Sequence, residues 1–375
     1  SIRPAGTGTL TVNSGGTLTE PAGTGGSAHN QLGSFNLGTV VPLVIAGGTF
    51  NPSEYTHMNQ LTMTGGVINV GASTGGDGLD FNTSAAVAPK IATLAAAGSA
   101  TIAARTTVRT ATTYDIANGA VSDDLFLSGG VLGAGSVVKT GAGTLTMTGT
   151  AIEYTGTTTV SNGTWRLLDL DDTKTSGIAI SNGAILEVDA EVRNMTFFAT
   201  TISGRGTIVK KGGYSLVCGN GGNVNMSLNA GGLIDVQAGT FTGSANWQGL
   251  WGGNYGSLNI ASGAVFDGTE GTINVDALTG AGTYQGGWTA AGTRMLTVGV
   301  ANGSGTFTGV IQNNTYGAVS LTKTGTGTQI LVGASTYTDG TTINAGKLIV
   351  NNTSGSGTGS GSVTVNNGGT IGGTG

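Results

Sequence analysis

A short unit of alternating apolar and polar residues, ended by a turn of small residues, returns throughout the chain. The turn is Asn-Gly, Ala-Gly or Gly-Gly. The turn glycines Gly163 and Gly183 lie 20 residues apart, and Gly346 and Gly368 lie 22 residues apart. A period of this length is the signature of a repeat architecture, in which each repeat is one supersecondary unit that stacks on its neighbours. The period therefore limits the possible folds more than any other feature of the sequence.

One coil of a parallel β-helix has this length. Glycine at each corner supplies the positive φ that other residues resist, while apolar side chains alternate inward with Thr, Ser and Asn outward. Stacked coils place equivalent residues about 4.8 Å apart, where like charges repel and Thr or Asn side chains can hydrogen-bond. We expect an all-β fold, a right-handed parallel β-helix (β-solenoid) of about 15–18 coils.

The composition agrees with strands and excludes three other classes of protein. The 375 residues include 72 Gly and 61 Thr, and Gly costs about 0.5–1 kcal/mol relative to Ala inside a helix, so a helical bundle is excluded. The Gly follow no three-residue period and only 5 Pro accompany them, which excludes collagen. Charged residues are 9% and the mean hydropathy is +0.14, whereas disordered chains combine low hydrophobicity with high net charge.

Charge, hydropathy and cysteine content limit the molecules that this chain can bind and the crosslinks that it can form. The net charge is −5 and the 14 Lys and Arg are scattered, so no basic surface for nucleic acid is expected. No apolar run approaches the length of a membrane-spanning helix, and we expect no membrane insertion. The single cysteine, Cys218, cannot form an internal disulfide, so packing and hydrogen bonds must stabilise a secreted chain.

A longer pattern occurs twice on top of the coil period. The first copy runs from Val137-Val138-Lys139-Thr140-Gly141 to Tyr154 and the corner Gly163, and the second runs from Leu321-Thr322-Lys323-Thr324-Gly325 to Tyr337 and Gly346. This Lys-Thr-Gly-x-Gly-Thr strand, followed by Tyr, Thr-Thr and a Gly corner, resembles the autotransporter-associated β-strand repeat. A third, divergent copy lies at 208–216. The resemblance implies a secreted β-helix of a bacterial surface, usually the passenger of a large surface protein, and it implies no single activity.

The first quarter of the chain differs in composition from the rest. All five prolines fall before residue 90, and Pro is disfavoured inside a continuous strand ladder. We therefore predict a less regular N-terminal β-helical segment at 1–110, including an Ala-rich stretch at 85–104. A regular β-helix is predicted at 111–375, with the family-like repeats near 137–168 and 321–350.

Acidic residues offer two candidates for chemistry. Gly75-Gly76-Asp77-Gly78-Leu79-Asp80-Phe81-Asn82 contains most of a calcium-binding nonapeptide, but that motif works by stacking several turns and occurs here once. Asp77 and Asp80 are therefore only weak calcium candidates. Alternation places Glu187, Asp189 and Glu191 on one strand face, as the carboxylates of a polysaccharide lyase or hydrolase would need; an incidental polar face is the simpler interpretation. No catalytic residue, firm metal site or cofactor is predicted.

Aromatic and basic residues in turns are the remaining candidates. Trp247, Trp251 and Tyr255 form the densest aromatic cluster, in a Gly-rich loop that can stack on glycans or anchor a partner. A packed loop that covers the coil is the favoured interpretation. Lys139 and Lys323 resemble no phosphate-binding loop, and we interpret them as solvated turn residues.

The two ends of the chain continue the strand-and-turn pattern. Placing the tail of one copy before the head of the next separates Gly368 from the following Gly15 by 22 residues, the same step as from Gly346 to Gly368. Open coil ends invite strand pairing between chains. The hypothesis that follows is head-to-tail stacking of copies into a filament, with an excerpt of a longer passenger as the alternative. The interface residues would be Thr9, Leu10, Thr11, Val12, Val363, Val365, Thr370 and Ile371.

These patterns lead to one functional prediction and two alternatives. The leading prediction is a structural subunit of an extracellular bacterial surface or matrix fibre, whose partners are other copies of itself. The first alternative is an adhesin passenger that binds glycans or surfaces through loops. The second is a polysaccharide lyase or hydrolase built on a β-helix.

Overall fold

The computed structural model describes residues 8–20, 41–52, 55–70, 78–81, 87–149, 152–170, 173–197, 200–219, 224–243, 250–268, 271–286 and 292–375. Every regular element within these ranges is a β-strand, and over the same ranges no helix is long and apolar enough to span a membrane. The chain forms two compact units, Ser1–Leu186 and Glu187–Gly375. The boundary that we predicted at residue 110 stays a prediction.

The N-terminal unit contains twenty described strands before the boundary. They are β1 Leu10–Asn13, β2 Thr17–Thr19, β3 Leu43–Ala46, β4 Thr49–Asn51, β5 Tyr55–Met58, β6 Gln60–Met63, β7 Val67–Ile68, β8 Gly78–Phe81, β9 Lys90–Thr93, β10 Ala100–Ile102, β11 Thr106–Val108, β12 Thr112–Ile116, β13 Leu125–Leu127, β14 Val131–Gly133, β15 Val137–Thr140, β16 Thr144–Thr148, β17 Ile152–Tyr154, β18 Thr158–Val160, β19 Thr164–Leu168 and β20 Gly177–Ile180. Strand β21, Ile185–Asp189, lies across the boundary between the units.

These strands stack into three parallel sheets. The orders are β1-β3-β6-β9-β12-β15-β18-β20, β2-β4-β7-β10-β13-β16-β19 and β5-β8-β11-β14-β17. Consecutive strands such as β15, β16 and β17 belong to three different sheets. Strands β15 and β16 pair with the strands one coil later, and β17 pairs with β14 one coil earlier. This is the connectivity of a parallel β-helix with three strands in a coil, so the predicted fold class is confirmed.

The C-terminal unit contains the remaining strands. They are β22 Met195–Phe197, β23 Thr201–Gly204, β24 Thr207–Lys211, β25 Ser215–Cys218, β26 Asn225–Leu228, β27 Leu233–Val236, β28 Thr240–Thr242, β29 Ser257–Ile260, β30 Val265–Asp267, β31 Ile273–Val275, β32 Leu278–Gly280, β33 Thr283–Gln285, β34 Gly292–Val298, β35 Gly305–Phe307, β36 Val310–Gln312, β37 Gly317–Lys323, β38 Thr328–Leu331, β39 Thr341–Ile343, β40 Gly346–Val350, β41 Val363–Val365 and β42 Gly369–Gly373. Its sheets run β23-β26, β24-β27-β29-β32-β35-β38-β40-β42, β22-β25-β28-β30-β33-β36 and β31-β34-β37-β39-β41.

Core ladders run along the inside of each unit. In the C-terminal unit the inward residues Phe241, Phe266 and Tyr284 face one another on successive coils. Their rings stack with centroid separations of 5.4 and 5.6 Å, the spacing that offset aromatic pairs prefer. Cys218 is fully buried on the neighbouring strand, and burial raises the pKa of its thiol. A crosslink through this cysteine is therefore not available to the folded chain.

Outward positions carry the Thr and Asn ladders that the low charge predicted. Asn259 Nδ2 donates to Asp235 Oδ1 at 2.7 Å, and the Thr279 hydroxyl donates to Asn259 Oδ1 at 3.0 Å. Asn366 likewise donates to Asn344 across one coil at 2.8 Å. Each side chain satisfies the one stacked on it, which a charged residue repeated at the same position would not do.

The corner glycines adopt the conformation that the period implied. Gly163, Gly183, Gly346 and Gly368 have φ values of 66°, 81°, 67° and 93°. Such left-handed values carry a steric cost for residues with a Cβ atom and none for glycine. The 20- to 22-residue step in the sequence is therefore the distance between equivalent corners.

Candidate functional site

The lysine of the first repeat lies inside the protein. Lys139 faces the buried Tyr114 and Val160 on the adjacent strands and is itself 0% exposed. Its Nζ donates to three main-chain carbonyls, those of Thr140 at 2.8 Å, Gly141 at 2.9 Å and Asn162 at 3.1 Å. The interpretation of this lysine as a solvated turn residue is wrong. The sequence pattern that indicates an inward lysine is the strict alternation along Val137-Val138-Lys139, because it puts Lys139 on the same face as Val137.

The second repeat has the same arrangement. Lys323 is fully buried, and its Nζ donates to the carbonyls of Thr324 at 2.5 Å, Gly325 at 3.1 Å and Ala345 at 3.3 Å. The prediction of a solvated Lys323 is therefore wrong for the same reason. In both repeats the third carbonyl comes from the next coil, so the ammonium group joins two consecutive corners.

A third lysine, which the sequence analysis did not single out, repeats the geometry. Lys210 is fully buried, and its Nζ donates to the carbonyls of Lys211, Gly212 and Ala238, the last two at 2.9 and 3.3 Å. It lies in the divergent third copy, on β24. The chain therefore holds at least three such corners.

Burial controls the charge of these lysines. Burial lowers the pKa of Lys139 and of Lys210 to about 8, and it also lowers the pKa of Lys323. Carboxylates oppose this effect in each case: Asp115 and Asp124 for Lys139, Asp189 and Glu191 for Lys210, and Asp276 for Lys323. Each buried cation thus has at least one acidic side chain in its surroundings.

The tyrosine of each repeat is a second buried anchor. The hydroxyl groups of Tyr154 and Thr158 lie 2.5 Å apart, and those of Tyr337 and Thr341 lie 2.6 Å apart. All four residues are buried. The Tyr-to-Thr spacing of four residues therefore closes the corner from inside, and the repeat motif is explained by packing rather than by chemistry.

Of the two described aromatic residues of this loop, one is buried and one is exposed. Trp251 is fully buried, with Nε1 donating to Gly243 O at 3.3 Å and its ring edge-on to Phe266 at 5.4 Å. Trp251 is therefore not available for contact with a glycan, because its ring completes the aromatic core, as the packed-loop interpretation expects. Trp247 lies outside the described residues. Tyr255 is 47% exposed.

The turn that carries Tyr255 is held from both sides. Asn254, fully buried, accepts from the main-chain N–H of Leu228 at 3.2 Å and donates to Asn274 O at 2.7 Å. The main-chain N–H of Tyr255 itself donates to Leu228 O at 2.8 Å. With Trp251 in the core, the backbone on each side of Tyr255 is fixed while its ring meets solvent.

The turn beside Tyr255 adds polar groups to the same corner. Asn229 follows Leu228 and is exposed, and its N–H donates to Gly204 O in the preceding coil. Arg205, also exposed, lies against Gly231, where a Cβ would meet the guanidinium at 2.8 Å. An aromatic ring, an amide and a guanidinium therefore occur on stacked turns of one corner.

The acidic candidates are already engaged with basic residues. Asp80 is fully buried and accepts from Arg109 Nε at 2.8 and 2.9 Å, and its Oδ2 lies 2.9 Å from His57 Nδ1. Burial raises the pKa of Asp80, but these two bonds outweigh it and leave the pKa below the usual value. Calcium binding by Asp80 is not supported, because both of its oxygens accept from the Arg109 guanidinium and Oδ2 also lies against His57. Asp77 lies outside the described residues.

The carboxylates suggested for a polysaccharide enzyme do not form one exposed group. Glu187 pairs with Lys211 at 2.8 Å, Asp189 is buried, and Glu191 is exposed. Over the described ranges no cluster of three or more His, Cys, Asp or Glu side chains is placed to hold a metal ion.

The residues proposed for assembly lie on the first and last described strands. Leu10, Thr11 and Val12 pair with β3, and Val12 is buried; Thr9, just before β1, is exposed. Val363, Val365 and Ile371 continue the inward ladders of Thr341, Ile343 and Leu348, yet they and Thr370 are exposed. A cavity of about 270 Å³ beside them is lined by Val350, Thr358 and Ile371 with three glycines.

Comparison with known proteins places the two repeats in a family. Residues 137–164 and 321–350 match the family described as the passenger-associated-transport-repeat. The adhesin BmaC autotransporter of Brucella suis biovar 1 (strain 1330) is 32% identical to this chain over 235 residues, which are 62% of this chain and 6% of that protein. No solved structure matches the chain. The resemblance to autotransporter-associated repeats is thereby confirmed.

Proposed function

We propose that this chain, which carries two passenger-associated-transport repeats, is part of an adhesin-like autotransporter passenger displayed at a bacterial surface. The similarity to an autotransporter adhesin over 235 residues supports this proposal. In it, the coils are a rigid scaffold, and exposed side chains on the corners contact a glycan or another surface. The chain spans a small part of that relative, so the binding of the whole protein is part of the proposal.

The observation that carries the binding role is the corner around Tyr255. An exposed ring on a fixed backbone loses little conformational freedom on binding, and rigid aromatic anchors dominate many interfaces. Exposed Arg205 and Asn229 on the adjoining turns add donors for hydroxyl or carboxylate groups of a sugar. We therefore assign first contact with a glycan to Tyr255.

The test replaces Tyr255 by Ala in the full chain and measures binding to a glycan array and to host-cell layers. Loss of an aromatic anchor costs about 2 kcal/mol or more, so a decrease in affinity of about 30-fold is expected. Tyr214→Ala is the matched control, because Tyr214 is 48% exposed, in the same unit, on a different corner. Equal binding by both variants, or equal loss, would exclude a specific role for Tyr255.

A second candidate function rests on the exposed inward residues of β41 and β42. Val365 and Ile371 occupy core positions that one more coil would cover, and that coil belongs either to the same polypeptide or to another copy. In the second case the copies stack head to tail into a fibre. Electron microscopy of the purified chain tests this: Val365→Arg should abolish elongation, whereas Thr364→Arg, outward on the same strand, should not. Rods of constant length in the unmodified chain would reject the fibre.

We assign no catalytic residue. Glu187 is paired and Asp189 is buried, so the three carboxylates suggested for the polysaccharide-enzyme alternative do not include an exposed pair. Polysaccharide cleavage that is lost on changing Glu187, Asp189 and Glu191 to Ala would contradict this assignment.

A further inference from the structure

The three buried lysines share a set of acceptors that is built from main chain alone. Lys139, Lys210 and Lys323 each donate to the carbonyls of the next two residues and to one carbonyl of the following coil. An ammonium group has three N–H donors, and each finds a separate acceptor. Donor number and acceptor number are therefore matched at all three corners.

The backbone at these corners is shaped in the same way. The glycine two residues after each lysine has a positive φ: 72° at Gly141, 73° at Gly212 and 65° at Gly325. The glycine that follows the third acceptor does too, with 66° at Gly163, 64° at Gly239 and 67° at Gly346. Six glycines within a few degrees of one another indicate one construction that occurs three times.

The position of the third corner extends this construction beyond the matched repeats. Lys210 and Gly239 lie outside residues 137–164 and 321–350, and Lys210 is on β24, which belongs to a different sheet from β15 and from β37. The shared feature is therefore the corner itself and not the sheet on which it begins.

We propose that each corner is a cation-binding site made of three main-chain carbonyls, filled by the chain's own ammonium group, and that this filling locks consecutive coils together. The site accepts a primary ammonium ion as a class of ligand. Removing the cation takes a donor from each carbonyl, although Lys211 O also accepts from the main-chain N–H of Ala190 at 3.1 Å, and buried polar groups without a partner destabilise the folded state. This property is independent of any adhesive function.

A buried lysine could also destabilise the folded chain, so the proposal can be tested by replacing it. Burying a cation is costly, and replacing buried charges by apolar residues has stabilised other proteins. Under that alternative, Lys139→Met would fold with equal or greater stability. Under the proposal, the methionine fills the aliphatic space but leaves three carbonyls without a donor, and the corner opens more often.

Hydrogen exchange on the full chain separates these outcomes. In Lys139→Met we expect amides at 140–143 and 162–164 to exchange at least tenfold faster, while amides around Lys210 and Lys323 keep their rates. The corresponding Lys210→Met and Lys323→Met variants should each affect only their own corners. The control is Lys174→Met, since Lys174 is an exposed lysine 3.8 Å from Glu153, and it should change no corner. Unchanged or slower exchange in the three buried-site variants would overturn the proposal.

Chemical rescue tests the ligand class. Lys139→Ala removes the atoms of n-propylammonium, so n-propylammonium chloride should restore slow exchange at 140–143. Tetramethylammonium chloride, which has no N–H donor, should not. Equal effects of the two salts would show that the corner does not bind ammonium. Should the Ala variant not fold, amine acetylation of the unmodified chain decides: labelling of Lys139, Lys210 and Lys323 at the rate of Lys174 would refute the buried sites.

Discussion

The side-chain amide of Gln329 binds both main-chain polar groups of Leu278, two coils away. Gln329 Nε2 donates to Leu278 O at 2.9 Å, and Leu278 N donates to Gln329 Oε1 at 3.2 Å. Gly305 occupies the intervening coil opposite Gln329, and a Cβ there would lie 2.5 Å from Leu278 O. The glycine thus leaves room for the amide to replace a missing strand contact.

Replacing Gln329 by Leu should therefore destabilise the C-terminal unit. The change keeps the side chain's approximate size but leaves a buried N–H and a buried C=O without partners, at about 1–3 kcal/mol each. We expect the free energy of unfolding to fall by about 2–4 kcal/mol, measured by urea denaturation and circular dichroism. Gln312→Leu is the control, because Gln312 is partly exposed and bonds only to Gln285 at 3.2 Å. Similar losses in both variants would contradict the role of the amide.

The hydroxyl pair in the first repeat predicts an asymmetry between two conservative changes. Tyr154→Phe removes one hydroxyl and leaves Thr158 with its bond to Thr175 at 3.1 Å, so a loss of about 1 kcal/mol is expected. Thr158→Val breaks both that bond to Thr175 and the bond to the buried Tyr154 hydroxyl, so a larger loss of about 2–3 kcal/mol is expected. Thermal unfolding of both variants checks the order. A larger effect of Tyr154→Phe would show that the ring, rather than this bond, positions the corner.

The coil architecture was predictable because it depends on local rules. The corners were predicted at the correct spacing from four glycines, because a positive φ depends only on the residue and its turn. These are Gly163, Gly183, Gly346 and Gly368. The alternation of apolar and polar residues likewise predicted the inward and outward faces, including the ladder of Asn344 and Asn366.

The candidate site was less predictable because burial depends on neighbouring coils. Alternation along β15 places Lys139 inward, but the carbonyls that receive its ammonium group are not evident from the sequence, because one of them is that of Asn162 on the next coil. Trp251 was a candidate for glycan contact because it lies in a Gly-rich loop with two other aromatic residues, while the aromatic core that receives it is formed by Phe241 and Phe266 of other strands. Only Tyr255 of the described cluster stays available to a ligand.

Asp267, the acidic residue at the end of β30, should make the free energy of unfolding depend on pH. Burial raises the pKa of Asp267 from its ordinary value of 3.8 to about 6, although hydrogen bonds from Asn314 and Gln285 oppose the shift. Because the folded chain holds the proton more tightly, the contribution to stability is full below about pH 4 and is lost as the pH rises through 6. Asp267→Asn removes this loss, so we expect it to raise the free energy of unfolding at pH 7 by about 1–3 kcal/mol.

The measurement for Asp267 is the melting temperature between pH 4 and pH 7. The unmodified chain should lose stability over this range relative to Asp267→Asn, whose curve should be flatter. Asp235→Asn is the control on an outward ladder, where the partly buried Asp235 accepts from Asn259 at 2.7 Å and from Gln237 at 2.7 Å. Parallel curves for the unmodified chain and Asp267→Asn would show that Asp267 titrates normally.

Alanine substitutions at two corner glycines should distinguish the cost of backbone strain from the cost of steric crowding. Gly263 and Gly280 have similar positive φ values, 82° and 99°, so alanine is strained at both, at a cost of about 1–2 kcal/mol. A Cβ at Gly263 meets nothing within 4 Å, whereas one at Gly280 lies 2.1 Å from Ile260 O in the coil before. Gly263→Ala should therefore cost only the strain, while Gly280→Ala must also push two coils apart and should cost more than about 3 kcal/mol. Urea denaturation of the two variants measures the difference, and equal costs would mean that adjacent coils can separate at a corner without disturbing the core.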